Sequence, residues 1–209
     1  NNNTANLSNL LPSTTYYWWV ATNCGNNTQS SWAYGGSFTT PSAAISCWQS
    51  ISAGYTHSLG IKSNGTLWAW GDNSNGQLGD GTTTNRNVPT QVGTSNNWLK
   101  VSGGAQFSVG IKTDGTLWAW GSNQFGQLGD GTNINRVIPT QIGTANTWID
   151  IDAGGGFTLA TKEDNFWVWA WGNNEYGQLG DGTTINRNVP TAVVQLPSGY
   201  EYKIAAGSN

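Results

Sequence analysis

The sequence predicts an all-β protein built of tandem blades, and three observations carry that prediction. The first is composition: 29 Gly, 13 Trp and no Met, alongside many Asn and Thr. Gly and Asn supply turn geometry, whereas aromatic and β-branched residues favour strands. The second is a period. Gly-Gln-Leu-Gly-Asp-Gly-Thr begins at Gly76, Gly126 and Gly177, fifty and then fifty-one residues apart, and Trp48, Trp98 and Trp148 keep the same register. So do Gly54, Gly104 and Gly154, then Arg86, Arg136 and Arg187, then Pro89, Pro139 and Pro190. Self-similarity at this length marks a solenoid or a propeller. The third is charge: 9% charged residues against 36% hydrophobic is too apolar for a disordered chain.

Taken in order, residues 1–41 lie outside the period, 42–47 read as a linker, and 48–209 hold the repeats. These are 48–97, 98–147 and 148–200, with the start of another at 201–209. In the first unit Leu10-Leu11-Pro12-Ser13-Thr14-Thr15-Tyr16 leads into the alternating Tyr17-Trp18-Trp19-Val20-Ala21. This resembles the corner and following strand of a fibronectin type III domain, with Tyr16 as the corner tyrosine. Ser37-Phe38-Thr39-Thr40-Pro41 resembles the final strand and exit. The resemblance covers only the C-terminal part of such a β-sandwich, a module common in secreted bacterial proteins.

Within the second repeat, alternation and turn chemistry predict strands at 98–101, 107–112 and 116–120. Thr113-Asp114-Gly115 forms the hairpin turn between the last two. A fourth strand is expected near 139–142, with Pro139 at its start, where an outer strand needs no ladder donor. The glycine-rich segment 121–131 is then a connection whose glycines take positive φ. In the third repeat, residues 162–168 hold one residue more than the second, which predicts a bulge or a longer hairpin loop.

Gly54-Tyr55-Thr56-His57-Ser58-Leu59, Asn64-Gly65-Thr66-Leu67-Trp68-Ala69-Trp70-Gly71 and Asn75-Gly76-Gln77-Leu78-Gly79 with Pro89 resemble the repeats of the regulator of chromosome condensation family. The resemblance runs from Cys47 to the end. It implies a β-propeller, commonly of seven blades, each a four-stranded antiparallel sheet. Three repeats and the start of a fourth are present, so a ring of that size needs further blades or closure by assembly.

Internal comparison weighs the residues that draw attention as chemistry. His57 is the single histidine, but its equivalents are Phe107 and Phe157, so the position reads as packing or hydrogen bonding within a blade. Ser58 and Ser108 have no histidine recurring with them, and the third copy carries Thr158, so no nucleophilic constellation is predicted. Asp80, Asp130 and Asp181 recur as a turn carboxylate would, and Arg86, Arg136 and Arg187 as partners of carboxylates or carbonyls between blades. Asp72-Asn73-Ser74-Asn75-Gly76 has the start of a calcium loop without its later carboxylates. Gly79-Asp80-Gly81 lacks the Lys-Ser/Thr of a phosphate loop. No catalytic, cofactor or metal residue is assigned. The pairs Trp68/Trp70, Trp118/Trp120 and Trp169/Trp171 sit in a repeated strand opposite small and aliphatic residues, which assigns them to the core between blades. Cys24 and Cys47 match no zinc spacing and are a candidate disulfide in an oxidising compartment, or two unrelated thiols.

The expected function is therefore binding rather than catalysis. A net charge of −3 with eight Lys and Arg argues against a nucleic-acid surface. No run of eighteen apolar residues reads as a membrane span, and the first residues have neither the basic start nor the apolar stretch of a signal peptide. The loops that differ between copies are the candidate binding positions: Tyr55 and Thr56 against Ala105 and Gln106, Phe125 against Tyr176, and Thr84 against Ile134. The resemblances together imply an extracellular or cell-surface bacterial protein whose propeller face recognises a protein or glycan, as an adhesin or as exported cargo of a secretion or surface apparatus. Two alternatives stand beside it: accessory domains of a larger extracellular hydrolase, and a structural surface or filament subunit.

Overall fold

The structure is a computed structural model describing residues 11, 14–20, 33–39, 47–163, 167–197 and 202–207. The chain divides into two units, residues 1–45 and 46–209. In the first, β1 (Thr15–Val20) pairs antiparallel with β2 (Ala33–Thr39), with a register shift between Trp18 and Trp19. The Leu11 N–H donates to Tyr16 Oη at 2.8 Å. Cys24 lies outside the described residues; Cys47 is an exposed thiol.

The second unit contains three four-stranded sheets of the same design. Blade 1 is β3 (Trp48–Ala53), β4 (His57–Lys62), β5 (Leu67–Gly71) and β6 (Arg86–Gln91). Blade 2 is β7 (Trp98–Gly103), β8 (Phe107–Lys112), β9 (Leu117–Gly121) and β10 (Arg136–Gln141). Blade 3 is β11 (Trp148–Ala153), β12 (Phe157–Lys162), β13 (Trp167–Gly172) and β14 (Arg187–Gln195). Every sheet is an antiparallel meander, each strand paired with its neighbours in the chain. The turn between the second and third strands closes through Gly65 and Gly115, both at φ +76°. A Cβ on Gly65 would lie 1.9 Å from the Asn96 carbonyl oxygen, so the position is closed to other residues by conformation and by space.

The fourth strand begins earlier than proline placement suggests. β10 starts at Arg136, opposite Gly121, and regains register only at Thr140 opposite Ala119. Pro139 therefore lies inside the strand, within the irregular stretch, where the missing N–H breaks no ladder bond. In blade 3, β13 starts at Trp167, the position of Thr116 in blade 2, and the Glu163 N–H bonds the Thr147 carbonyl at 2.9 Å as the Thr113 N–H bonds Asn97; the additional residue falls in the turn 163–166, most of which lies outside the described residues.

The core lies between blades. Leu59, Ile61, Leu67, Ala69 and Leu78 of blade 1 pack against Trp98, Val101 and Trp120 of blade 2. The equivalent residues of blade 2 meet Trp148, Ile151 and Trp171 of blade 3. Because blade 2 is covered from both sides, its β8 is buried at all six positions and shows no polar face. Residues 202–207 take the innermost place of a fourth blade. The Ala206 N–H bonds Asp152 Oδ2 at 2.7 Å, as Ala153 N–H bonds Ser102 Oγ and Gly103 N–H bonds Ser52 Oγ.

Candidate binding face

A four-stranded meander brings its first and third connections to one end of the sheet, and its hairpin turn and exit to the other. In blade 1 those two connections are residues 54–56 and 72–85. They are tied together where the Asp72 N–H bonds the Thr56 carbonyl at 2.9 Å, and Ser122 to Gln106 and Asn173 to Gly156 repeat the bond. Tyr55, Thr56, Gln106, Phe125, Ile134 and Tyr176, all expected at binding loops, therefore lie on the same face. Tyr55 is 85% exposed, Tyr176 79% and Ile134 62%. Thr56 and Gln106 are exposed; Phe125 is half-buried. The Phe125 ring lies beside Gly156, where a Cβ would stand 3.3 Å from it. At the inner edge of this face a recess of about 460 Å³ opens among Ala53, Gly54, Gly104 and Gly154, with Tyr55 on its rim.

The long connection is held rigid by its own side chains. Buried Asn73 donates from Nδ2 to Asp80 Oδ1 and to the Thr82 and Thr84 carbonyls, while its Oδ1 accepts the Leu78 N–H. Asn123 and Asn174 repeat the pattern. Sequence reasoning passed over these asparagines, although they recur with the same regularity as the aspartates they bind. Asp80 Oδ2 takes Arg86 Nε at 2.7 Å and Nη2 at 2.6 Å. The arginines thus bridge within their own blade, since Asp and Arg six residues apart flank a single loop, and do not reach between blades as expected. Burial pushes the Asp80 carboxyl up, but hydrogen bonds from Thr82 and Arg86 outweigh it and hold it below the usual carboxylate range. Hydrogen bonds from Thr183, opposed by burial and joined by those from Arg187, hold Asp181 far below that range. Each carboxylate is a loop brace.

His57 also departs from its expected place, because its partner belongs to the next blade. His57 Nε2 and Ser108 Oγ are 2.8 Å apart, a spacing that a nucleophile and its base would share. The proton inventory excludes that role. Ser108 Oγ donates to the Gln77 carbonyl at 2.7 Å, and a hydroxyl has one proton, so His57 must be the donor at Nε2. The basic nitrogen is Nδ1, which has no hydrogen-bond partner and lies against Gly54. Burial, only partly opposed by Asp72, pushes the His57 pKa down to about 4, so the ring is neutral. Thr158 Oγ1 bonds the Gln127 carbonyl at 2.9 Å in the next joint, which identifies the hydroxyl as an inter-blade link.

The tryptophans divide into two groups. Trp120 and Trp171 are fully buried between blades, while Trp118 and Trp169 hold a lysine on their faces, Lys112 at 3.9 Å and Lys162 at 4.1 Å. Among the described residues no three His, Cys, Asp or Glu side chains are grouped to hold a metal ion.

A family model for the regulator of chromosome condensation (RCC1) repeat matches residues 64–111, 114–161 and 168–209. A second model of the same description matches 48–77, 98–127 and 148–178. The first set of limits cuts each blade between its second and third strands, so one sequence repeat spans one joint between blades. Among solved structures, the chain is similar to Prp20p from Saccharomyces cerevisiae, described with its binding to Gsp1p and histones. The TM-score there is 0.63 at 20% identity, over 77% of this chain and 40% of that one. Yeast RCC1 (Prp20) bound to Kap60 gives 0.66 at 20% identity, over 92% and 48%. Human WBSCR16 gives 0.54 at 16% identity, over 81% and 58%. The chain spans about half the length of these structures, and they share its fold. With repeat matches covering well over half of its residues, the chain belongs to the RCC1 repeat family.

Proposed function

We propose that this chain is a non-catalytic recognition module that binds a protein or glycan through the face formed by its 54–56 and 72–85 loops and their equivalents. The observation that carries the proposal is the contrast on that face between constant braces and variable tips. Asn73, Asp80 and Arg86 repeat in every blade with the same bonds, while the exposed tips hold Tyr55 and Tyr176 in one copy and other residues in the rest. A rigid scaffold that fixes unlike side chains in mutual register lowers the ordering cost of binding. The yeast relative described with Gsp1p, histones and Kap60 makes a protein partner the leading choice.

In the same reading the first unit is the end of a fibronectin type III domain acting as a spacer, supported by the Tyr16–Leu11 bond. The whole is a secreted or cell-surface bacterial protein whose propeller is completed to seven blades. The test is saturable binding of immobilised chain to panels of surface proteins and glycans, repeated with a double variant, Tyr55→Ala with Tyr176→Ala. Both side chains are exposed, so the fold is retained, and affinity should fall at least tenfold. Equal binding by parent and variant would remove this face from the proposal.

A further inference from the structure

Each internal joint holds a cavity with a lysine in its wall. In the first joint it measures about 270 Å³ and lies among Val92 and Gly93 of blade 1 and Trp98, Lys112, Ile138 and Pro139 of blade 2. The second joint repeats it at about 430 Å³, with Gly143, Trp148, Lys162 and Pro190 at the same places. Gly93 and Gly143 border open space, with nothing within 4 Å of a Cβ position. Both joints have a blade on each side, so the cavity belongs to the repeat itself.

The wall offers donors that lack acceptors. Lys112 is only 9% exposed, and among the described residues no carboxylate lies within ion-pair distance of it. Its Nζ rests 3.9 Å from the Trp118 ring centroid and 5.0 Å from that of Trp98, and donates to Ser95 Oγ at a long 3.3 Å. In the second joint Ala145 stands in place of that serine, and Lys162 lies on the faces of Trp148 and Trp169. Trp98 and Trp148, 3% and 4% exposed, each bury an indole Nε1 that has no hydrogen-bond partner. The benzo edge of Trp98 packs on Gly110 of β8, which turns the edge bearing Nε1 the other way. Burial lowers the Lys112 pKa, an effect that Asp114 only partly opposes. A buried charge calls for a counter-charge, and a buried N–H for an acceptor.

We propose that each joint binds the carboxylate of a short aliphatic acid, its oxygens accepting from the lysine ammonium and the indole N–H while its chain lies on the proline. One ammonium balances one negative charge. Asp80 and Asp130 stand on the same walls with their carboxylates already paired to Arg86 and Arg136, and they oppose a second, so a dianion such as phosphate is refused. Ile138 and Pro139, with Val189 and Pro190 in the second joint, favour a hydrocarbon chain over a hydrated inorganic ion. A volume of about 270 Å³ is below that of drug-sized pockets and suits a chain of a few carbons. The site uses none of the loop tips around Tyr55 and Tyr176, so it stands or falls apart from recognition by that face.

Titration of the isotope-labelled full chain with butyrate tests this, read by NMR at the indole N–H resonances of Trp98 and Trp148, which Trp98→Phe and Trp148→Phe assign. Both resonances should shift and saturate. Lys112→Met should weaken the binding reported by Trp98 at least tenfold and leave that reported by Trp148 unchanged; Lys162→Met should do the reverse, so each joint serves as the folding control for the other. Ser95→Asp keeps the lysine and gives it a carboxylate from the chain, so it should abolish the Trp98 response as Lys112→Met does. Chloride and phosphate should not compete with butyrate, and a capped glutamate, which carries the same carboxylate on a peptide unit, should bind more weakly. The proposal is overturned if butyrate gives no saturable shift, if Lys112→Met responds like the parent at Trp98, or if chloride or phosphate competes. Binding of the capped glutamate as tight as that of butyrate would also overturn it, by assigning the cavity to a partner's side chain.

Discussion

Blades 1 and 2 are near copies in sequence and differ in what surrounds them. Trp98 and Val101 of blade 2 are 3% and 8% exposed, while Trp48 and Ile51 at the same positions of blade 1 are 41% and 61% exposed. The strands themselves do not explain this, since both blades have the same hydrogen-bonded ladders and the same bulge after the first tryptophan. What blade 2 has in addition is a preceding blade, whose Leu59, Ile61, Leu67 and Leu78 close over its leading side. A blade of this family therefore supplies half of two cores and the whole of none. Stability is then a sum of blade terms and nearest-neighbour joint terms.

The largest consequence concerns equivalent tryptophans. Trp120 fills the first joint and bonds the Gln77 carbonyl at 2.9 Å, so Trp120→Ala should cost about 3–5 kcal/mol, the usual range for emptying a buried aromatic site. Trp70→Ala removes the same side chain where no loop is seated on it and should cost about half as much. Urea midpoints of the two variants make the comparison. Equal losses would mean that each tryptophan is held by its own blade, and the joint would lose its place as the unit of stability.

A pH titration sharpens the same contrast, because the first joint contains a histidine where the second contains phenylalanine. His57 titrates near 4 in the folded chain against 6.5 when exposed, so the unfolded chain binds the proton more readily. Stability is then complete above pH 6.5 and falls as pH drops toward 4, by up to about 3 kcal/mol. The shifted carboxylates lie below their ordinary value and stay ionised through that window. His57→Phe, the residue of the other two copies, should flatten the urea midpoint between pH 7 and 4. A slope that survives the substitution would place the titrating group elsewhere.

The period, the three inner strands, the hairpin glycines and the clustering of variable loops were legible because they depend on residues close in sequence. Pro139 misled the placement of the fourth strand because a proline rule assumes regular pairing, and β10 is irregular between Arg136 and Thr140. The arginines offered a readable clue in their constant spacing of six from the aspartates, which favours a partner within the same loop. The His57–Ser108 link offered none. It joins residues 51 apart in different copies, and a repeat shows which positions are equivalent without showing which positions of neighbouring copies meet. The same holds for the Gln77 carbonyl, an acceptor that no side-chain pattern marks.

The smallest expected effect is a difference near zero, and it checks the comparison from the other side. Asp130 and Asp181 each accept from an arginine, a threonine hydroxyl and N–H, and an asparagine, all inside their own blade. Only the loop of Asp130 is covered by a following blade. Asp130→Asn and Asp181→Asn keep one acceptor oxygen and lose an ion pair to a partly exposed arginine, which solvent screens, so the two losses should be small and alike. Both carboxyls are held below their ordinary value of 3.8, so their contribution is present above that pH and is lost as pH falls below it. Equal shifts in the urea midpoint are expected at neutral pH. If Asp130→Asn cost clearly more than Asp181→Asn, the carboxylate would be bracing the joint through its loop, and the separation between blade terms and joint terms would have to be redrawn at this residue.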